Sequence, residues 1–288
     1  MTKIGLFVDS TCDLPIEQLE KRGIFYVPLH VIFGSEEYLD MVELSSESFF
    51  EKLVSSKYHP TTSLPSPKEV LTIFEKARDQ GIDILYSLLV SSKLSGTFQS
   101  ATIAKTMFDE TYGDMEIKLI DSQGATGQQG LSALTLNDII ARNGTVEEID
   151  DAWEKIKDRS ILAAAIDTLR YLRRGGRVGT MKSLMSKILN LKPLITIKDG
   201  TIESFGKARG LVPAMDELIK YGQQFFSPDE PVRAFIGHSV RYELLDDMRE
   251  LVTSSFNVVE IDELMIGSAI GVHIGPGAIG YVIQPYID

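Results

Sequence analysis

Short apolar runs and amphipathic stretches take turns along the first half of the chain. The run "IGLFV" (4–8) predicts a buried strand, and "PIEQLEKRG" after Asp9-Ser10-Thr11 predicts a helix that Gly23 closes. "IFYVPLHVIF" (24–33) is β-branched and aromatic, hence strand-like, with Pro28 marking an edge or an interruption. "SSESFFEKLVSS" predicts an amphipathic helix. Ser66-Pro67-Lys68-Glu69 combines a capping serine, a first-turn proline and a glutamate three residues on, so a helix is expected to start there and stop at Gly81. A strand at 82–90, a helix through "GTFQSATIAKTMF", a strand at 116–121 and a long helix to Asn143-Gly144 follow. Thr145-Val146-Glu147-Glu148 is a second capping box, opening a helix that ends near Arg159. Strands and helices alternating at these lengths imply an α/β fold with a largely parallel sheet covered on both faces.

The second half has a different texture. "ILAAAIDTL" (161–169) predicts a strand that runs into "RYLRRGGRVG", a basic turn broken by glycines, and a helix is expected from there to Asn190. Asp199-Gly200 stands between two alternating runs, a hairpin signal. A helix, the strand "VRAFIGHS", another helix and the strand "NVVEI" precede the closing "SAIGVHIGPGAIGYVIQ". The expected organisation is two α/β domains, residues 1–159 with a mainly parallel sheet and residues 160–288 with a hairpin. With no low-complexity linker between them, the two are expected to pack closely.

Composition narrows the function. The 288 residues carry 41 acidic and 29 basic side chains, a net charge of -12, which disfavours nucleic acid and anionic membrane surfaces as partners. The one cysteine, Cys12, excludes an internal disulfide and suits a reducing compartment. "KIGLFVDS" is interrupted too early by Asp9 to act as a signal peptide, and no apolar run has the length of a membrane span. A cytoplasmic protein without stable membrane insertion is expected.

In parallel α/β sheets ligands sit beyond the carboxyl ends of the strands. Three hydroxyl-rich segments fall there, each before a helix whose free N–H groups favour an anion: Asp9-Ser10-Thr11, Thr61–Ser66 and Ser91–Thr97. Serine and threonine also cap helices, so one such segment alone is unremarkable. Ser95-Gly96-Thr97 is the strongest, because glycine admits a ligand close to the backbone. His273 stands among Gly271, Gly275, Gly277 and Gly280, a setting equally open to a ligand-facing and a structural role. His30, His59 and His238 read as surface or packing residues. Arg170, Arg173, Arg174 and Arg177 surround Gly175-Gly176 and suit either a helix C-terminus or the recognition of phosphate or of a partner's carboxylates. No Walker loop, nucleophile elbow, H-E-x-x-H motif or cysteine pair is present; "GHSVR" has Arg241 where an elbow needs glycine. Hydrogen-bond donors without a nucleophile, metal site or cofactor motif point to a binder more than a catalyst.

Taken in order over essentially the whole chain, "FVDSTCDLP", "PTTSLPSP", "SSKLSGTFQSA", "IDSQ", "LRYLRRGGRVG", "GKARG" and "HIGPGAIGY" resemble the DegV family. The resemblance implies two α/β domains that hold a long-chain fatty acid. It further implies that the chain presents the carboxylate to a separate ATP-dependent fatty acid kinase subunit, the acyl phosphate going on to phospholipid synthesis. No catalytic residue, metal or cofactor is implied for the chain itself. Carried over by motif, the carboxylate donors are Thr62, Ser95 and His273, with Ser63 and Gly96 beside them, and Arg177 and Arg209 face the phosphate or the partner. The donors are neutral, leaving the carboxylate free of a tight salt bridge. The alternative is a phosphoryl-transfer or hydrolase enzyme for a small anion bound at the same loops.

Overall fold

The computed structural model describes residues 2–178 and 191–288, so the helix expected to reach Asn190 lies outside the described residues. In the first half, β1 (Ile4–Asp9) leads through a short 3-10 turn to α1 (Ile16–Lys21). Next come β2 (Phe25–Val27), β3 (His30–Phe33), β4 (Glu36–Leu39), α2 (Ser46–Ser55), β5 (Thr61–Ser63) and α3 (Pro67–Asp79). β6 (Ile84–Leu89), α4 (Thr97–Thr111), β7 (Glu116–Asp121), α5 (Gly127–Ala141) and α6 (Val146–Ile156) complete it. The second half runs β8 (Ile161–Ala165), α7 (Arg170–Arg174), β9 (Leu191–Lys198), β10 (Thr201–Arg209), α8 (Leu211–Gly222) and β11 (Pro231–His238). α9 (Leu245–Ser255), β12 (Asn257–Met265), α10 (Ser268–Ile274) and β13 (Ile279–Pro285) close the chain.

The first sheet has the order β2-β1-β6-β7, with every neighbour parallel. Both predicted capping boxes form, Ser66 with Glu69 and Thr145 with Glu148. The second sheet has the order β10-β9-β8-β13-β11-β12 and is antiparallel except for β11 against β12. Asp199 and Gly200 turn its hairpin with φ of 48° and 75°, the left-handed pair that a two-residue turn of this hand requires.

One expectation is sharpened and another changes. The 24–33 run is interrupted at Pro28, one of the two readings its sequence allows. Pro28 has no N–H to give a ladder, and the run divides there: β2 joins the parallel sheet, while β3 crosses into a small antiparallel sheet of order β4-β3-β5. The Thr61–Ser63 segment is not a loop but β5 itself, with Thr62 opposite Val31 and Ser63 opposite His30. The last glycine-rich stretch also folds into a helix, α10, which packs on the small sheet and α2. Phe49, Phe50 and Val31 meet Ala269 and Val272 in one apolar cluster. A Cβ at Gly271 would overlap the ring of Phe49, so this docking needs glycine.

α5 is buried on nearly every side because it lies between the two sheets, touching β1 and β6 on one side and β11 and β13 on the other. Its polar positions are turned to use: Gln129 bonds Asp9 and the Leu88 carbonyl, and Asp138 receives Arg22 from the first half and Arg233 from the second. Among the described residues no helix is long and apolar enough to cross a membrane.

Candidate functional site

A cavity lies between the carboxyl edge of the first sheet and the face of the second. It leaves about 120 Å³ for the centres of water-sized molecules, where one water needs about 10–15 Å³. Its walls are mainly aliphatic. Strand alternation explains the second sheet's share: Leu162 and Ala164 of β8, with Ile166 just beyond, face the cavity, while Ala163 and Ala165 face the opposite core.

Polar groups gather at one end. Thr62, Ser95, Arg177 and His273 all line the cavity. Thr62 arrives on β5, where alternation leaves it half-buried and turns Thr61 and Ser63 outward. His273 arrives on the last turn of α10, and its Nε2 lies 3.1 Å from Thr62 Oγ1. Ser95 sits just before α4, its hydroxyl bonded to that of Thr97 at 2.9 Å. Gly96 is the N-terminal cap of α4, exposed, and a Cβ there would come within 2.9 Å of Leu64. The structure therefore joins Thr62, Ser95 and His273 and leaves Ser63 on the outside.

The arginines part company. Arg177 is half-buried in the cavity wall, its Nε donating to the Leu94 carbonyl at 3.1 Å and its Nη1 to the Gly175 carbonyl at 2.6 Å. A cation thus stands beside the neutral donors. Arg209 is exposed at the end of β10, away from the cavity lining. Arg170, Arg173 and Arg174 are exposed on α7.

His273 is neutral at physiological pH. Burial pushes its pKa down to about 4, and the Arg177 guanidinium and His59 push in the same direction. Its Nδ1 is buried with no hydrogen-bond partner, which places the useful chemistry at Nε2. If Nε2 carries the proton and donates to Thr62, the threonine hydroxyl is free to donate into the cavity. An anion there favours that arrangement. His59 lies beside Tyr171, the rings tilted by 35° with centroids 5.8 Å apart. No sequence motif marked it as part of this end.

The first hydroxyl-rich segment is bonded into the fold, although Thr11 also lines the cavity. Asp9 accepts from the Thr11 N–H and hydroxyl at 3.0 and 2.5 Å and from the Val90 N–H at 2.7 Å. Ser10 donates to Asp40 at 2.6 Å and accepts the Leu29 N–H at 3.0 Å. Ser91, from the third segment, donates to the Gly200 carbonyl at 2.7 Å and so ties the hairpin tip to the loop that carries Ser95.

The depressed His273 pKa makes a prediction with a definite sign. The unfolded chain takes up this proton near pH 6.5 and the folded chain only near 4, so stability is lost as pH falls through that window. At about 1.4 kcal/mol per pK unit the full loss approaches ~3 kcal/mol. Burial raises the carboxyls of Asp9, Asp13 and Asp40, which act in the opposite sense, so the informative quantity is a difference. Denaturant unfolding of the parent and His273→Gln at pH 7 and pH 4.5 is expected to show the parent losing more stability on acidification. Parallel losses would mean that the imidazole is not held neutral.

Comparison with known proteins agrees with this architecture. Residues 3–286 match the family model described as "Uncharacterised protein, DegV family". A DegV domain-containing protein of Listeria innocua is 32% identical over 96% of this chain and 97% of its own length. Another, from Caldanaerobacter subterraneus, is 32% identical over 99% of both chains. Among solved structures, a DegV family protein from Thermus thermophilus described by its fatty acid binding superposes with a TM-score of 0.91 at 30% identity, over 99% of this chain and 100% of that one. A stearic-acid-binding protein from Eubacterium ventriosum gives 0.89 at 28% identity, over 99% and 98%. The family match covers nearly the full length and the fold superposes on solved members, and the chain belongs to the DegV family.

Proposed function

We propose that this protein binds a long-chain fatty acid. The carboxylate sits at Thr62, Ser95 and His273, with Ser63 and Gly96 flanking these donors, and the acyl chain fills the aliphatic cavity. The bound carboxylate is then presented to a separate ATP-dependent kinase subunit, which converts it to an acyl phosphate destined for phospholipid synthesis. The observation that carries this reading is one cavity with aliphatic walls and, at a single end, an imidazole–hydroxyl pair. The fatty acids described for the relatives supply the ligand class.

The physics is consistent. Each buried methylene contributes about 0.8 kcal/mol, whereas a hydrogen bond to a charged group contributes about 1.5–3 kcal/mol. A long chain therefore supplies most of the affinity, and the polar end sets orientation. A carboxylate held by neutral donors keeps an oxygen available for attack on phosphorus. Arg177 at the same end is placed to balance charge there, while exposed Arg209 is available to the partner.

Extracting the purified protein with organic solvent and weighing the extract tests the first half of the proposal. A stoichiometric fatty acid is expected; an extract free of lipid, together with no binding of added fatty acid, would defeat it and favour a small-anion enzyme. For the second half, Arg209→Ala is expected to leave fatty-acid affinity unchanged and to slow acyl-phosphate formation once a kinase subunit and ATP are supplied.

A further inference from the structure

We infer that Ser239, with Val240 beside it, is a positioning residue for the carboxylate end: it fixes where α10 stops and thereby where His273 stands. The inference rests on the fatty-acid reading above, since its consequence is how well the carboxylate is held. The imidazole has one hydrogen bond, from Nε2 to Thr62 Oγ1 at 3.1 Å, and its Nδ1 has no partner. No other polar contact fixes the ring, so its place is inherited from the backbone that carries it. α10 has only 7 residues, too few for a helix to persist in water by itself. Its first turn is pinned by Asp40, which accepts the Ala269 N–H at 3.0 Å.

Ser239 pins the other end. It is fully buried just beyond β11, and its hydroxyl donates to the Gly275 carbonyl at 2.9 Å while accepting the Ala278 N–H at 2.8 Å. Its carbonyl accepts the Gly277 N–H at 2.8 Å, and its own N–H donates to the Ala278 carbonyl at 2.9 Å. The turn that follows His273 is thus closed around a single serine. The hydroxyl of "GHSVR" is committed to backbone on both sides and has no free lone pair aimed at a substrate. Val240 then turns with φ of 52°, a left-handed conformation that β-branched residues rarely adopt. Such backbone persists only where its surroundings hold it. Here the Val240 side chain packs against the apolar cluster that contains Ala269 and Val272 of α10, and Arg241 Nε donates to the Gly277 carbonyl at 3.4 Å. The strained residue and both its neighbours serve one turn.

The test is equilibrium binding of dodecanoic acid and dodecan-1-ol to the full chain at about pH 7.5, where the acid is ionised and the two ligands share a tail. In Ser239→Ala the ratio of acid to alcohol affinity is expected to fall about 10-fold, the loss of a bond to a charged group, while the alcohol binds nearly as before. Val240→Ala keeps both bonds of the serine hydroxyl and removes part of the buttress. It should lower the ratio by less, and it decides the matter if Ser239→Ala does not fold. Adding either change to His273→Ala should lower the ratio no further, because the ring they place is gone. Equal weakening of acid and alcohol, an unchanged ratio, or a further fall in the His273→Ala background would overturn the assignment while leaving the fatty-acid reading intact. If the parent binds neither ligand, both fall together.

Discussion

Replacing Ala164 with phenylalanine is expected to shorten the fatty acid that the protein accepts. Ala164 is the small residue among the cavity-facing positions of β8, between Leu162 and Ile166, and β8 is held on both sides by β9 and β13. The strand cannot retreat, so a phenyl ring at 164 must project into the space otherwise taken by the acyl chain. Losing four buried methylenes costs about 3 kcal/mol, roughly two orders of magnitude in Kd. The variant should keep its fold, since the ring fills a void instead of displacing packed atoms. Titration with saturated acids of decreasing length checks this: the longest should lose most affinity and the shortest almost none. An unchanged length profile would mean that the chain does not pass Ala164.

Gly175→Ala is expected to damage the carboxylate end at long range in sequence and short range in space. Gly175 ends α7 in ordinary right-handed geometry, φ -75° and ψ -6°, so alanine is acceptable to the backbone. The obstacle is His273, because a Cβ at 175 would overlap Nδ1 of its ring. Relief requires the imidazole to move away from Thr62. Overpacking of this kind costs about 1–3 kcal/mol of stability, and a lost bond to a charged head group a further 1.5–3 kcal/mol or so of affinity. The double variant Gly175→Ala/His273→Ala separates the two costs: removing the ring should restore stability but not binding. Full fatty-acid affinity in Gly175→Ala would show that the ring position is immaterial.

Much of the fold was legible in the sequence because the signals are local. The capping boxes at Ser66 and Thr145 and the turn at Asp199-Gly200 need only a few neighbouring residues to take effect. The 4–8, 82–90 and 116–121 runs announced strands of the parallel sheet for the same reason. What could not be read depends on distant partners. Pro28 marks an interruption, but only the β3–β5 pairing shows that the chain changes sheets there. The glycines around His273 leave a ligand-facing and a structural role equally open; packing decides for two of them, since Gly271 and Gly275 admit the rings of Phe49 and Tyr171. At the candidate site, motif resemblance brought Thr62, Ser95 and His273 together. The outward turn of Ser63 and the inward position of Arg177 are consequences of strand register and of the Leu94 and Gly175 carbonyls.

The docking of α10 also bears on how the molecule is made. Thr62 and His273 are 211 residues apart, and β13, which follows α10, is the strand inserted between β8 and β11. During synthesis at about 5–20 residues per second, the earlier half waits on the order of 10–40 s for its counterpart. Throughout that interval Phe49, Phe50 and Val31 lack the helix that covers them, and the second sheet lacks its inner strand. The nascent chain is thus most vulnerable to self-association just before α10 and β13 leave the ribosome. A stop codon anywhere before them removes the imidazole, the lid on the aromatic cluster and the middle of a sheet at once, so no shortened product retains a working remnant of the site.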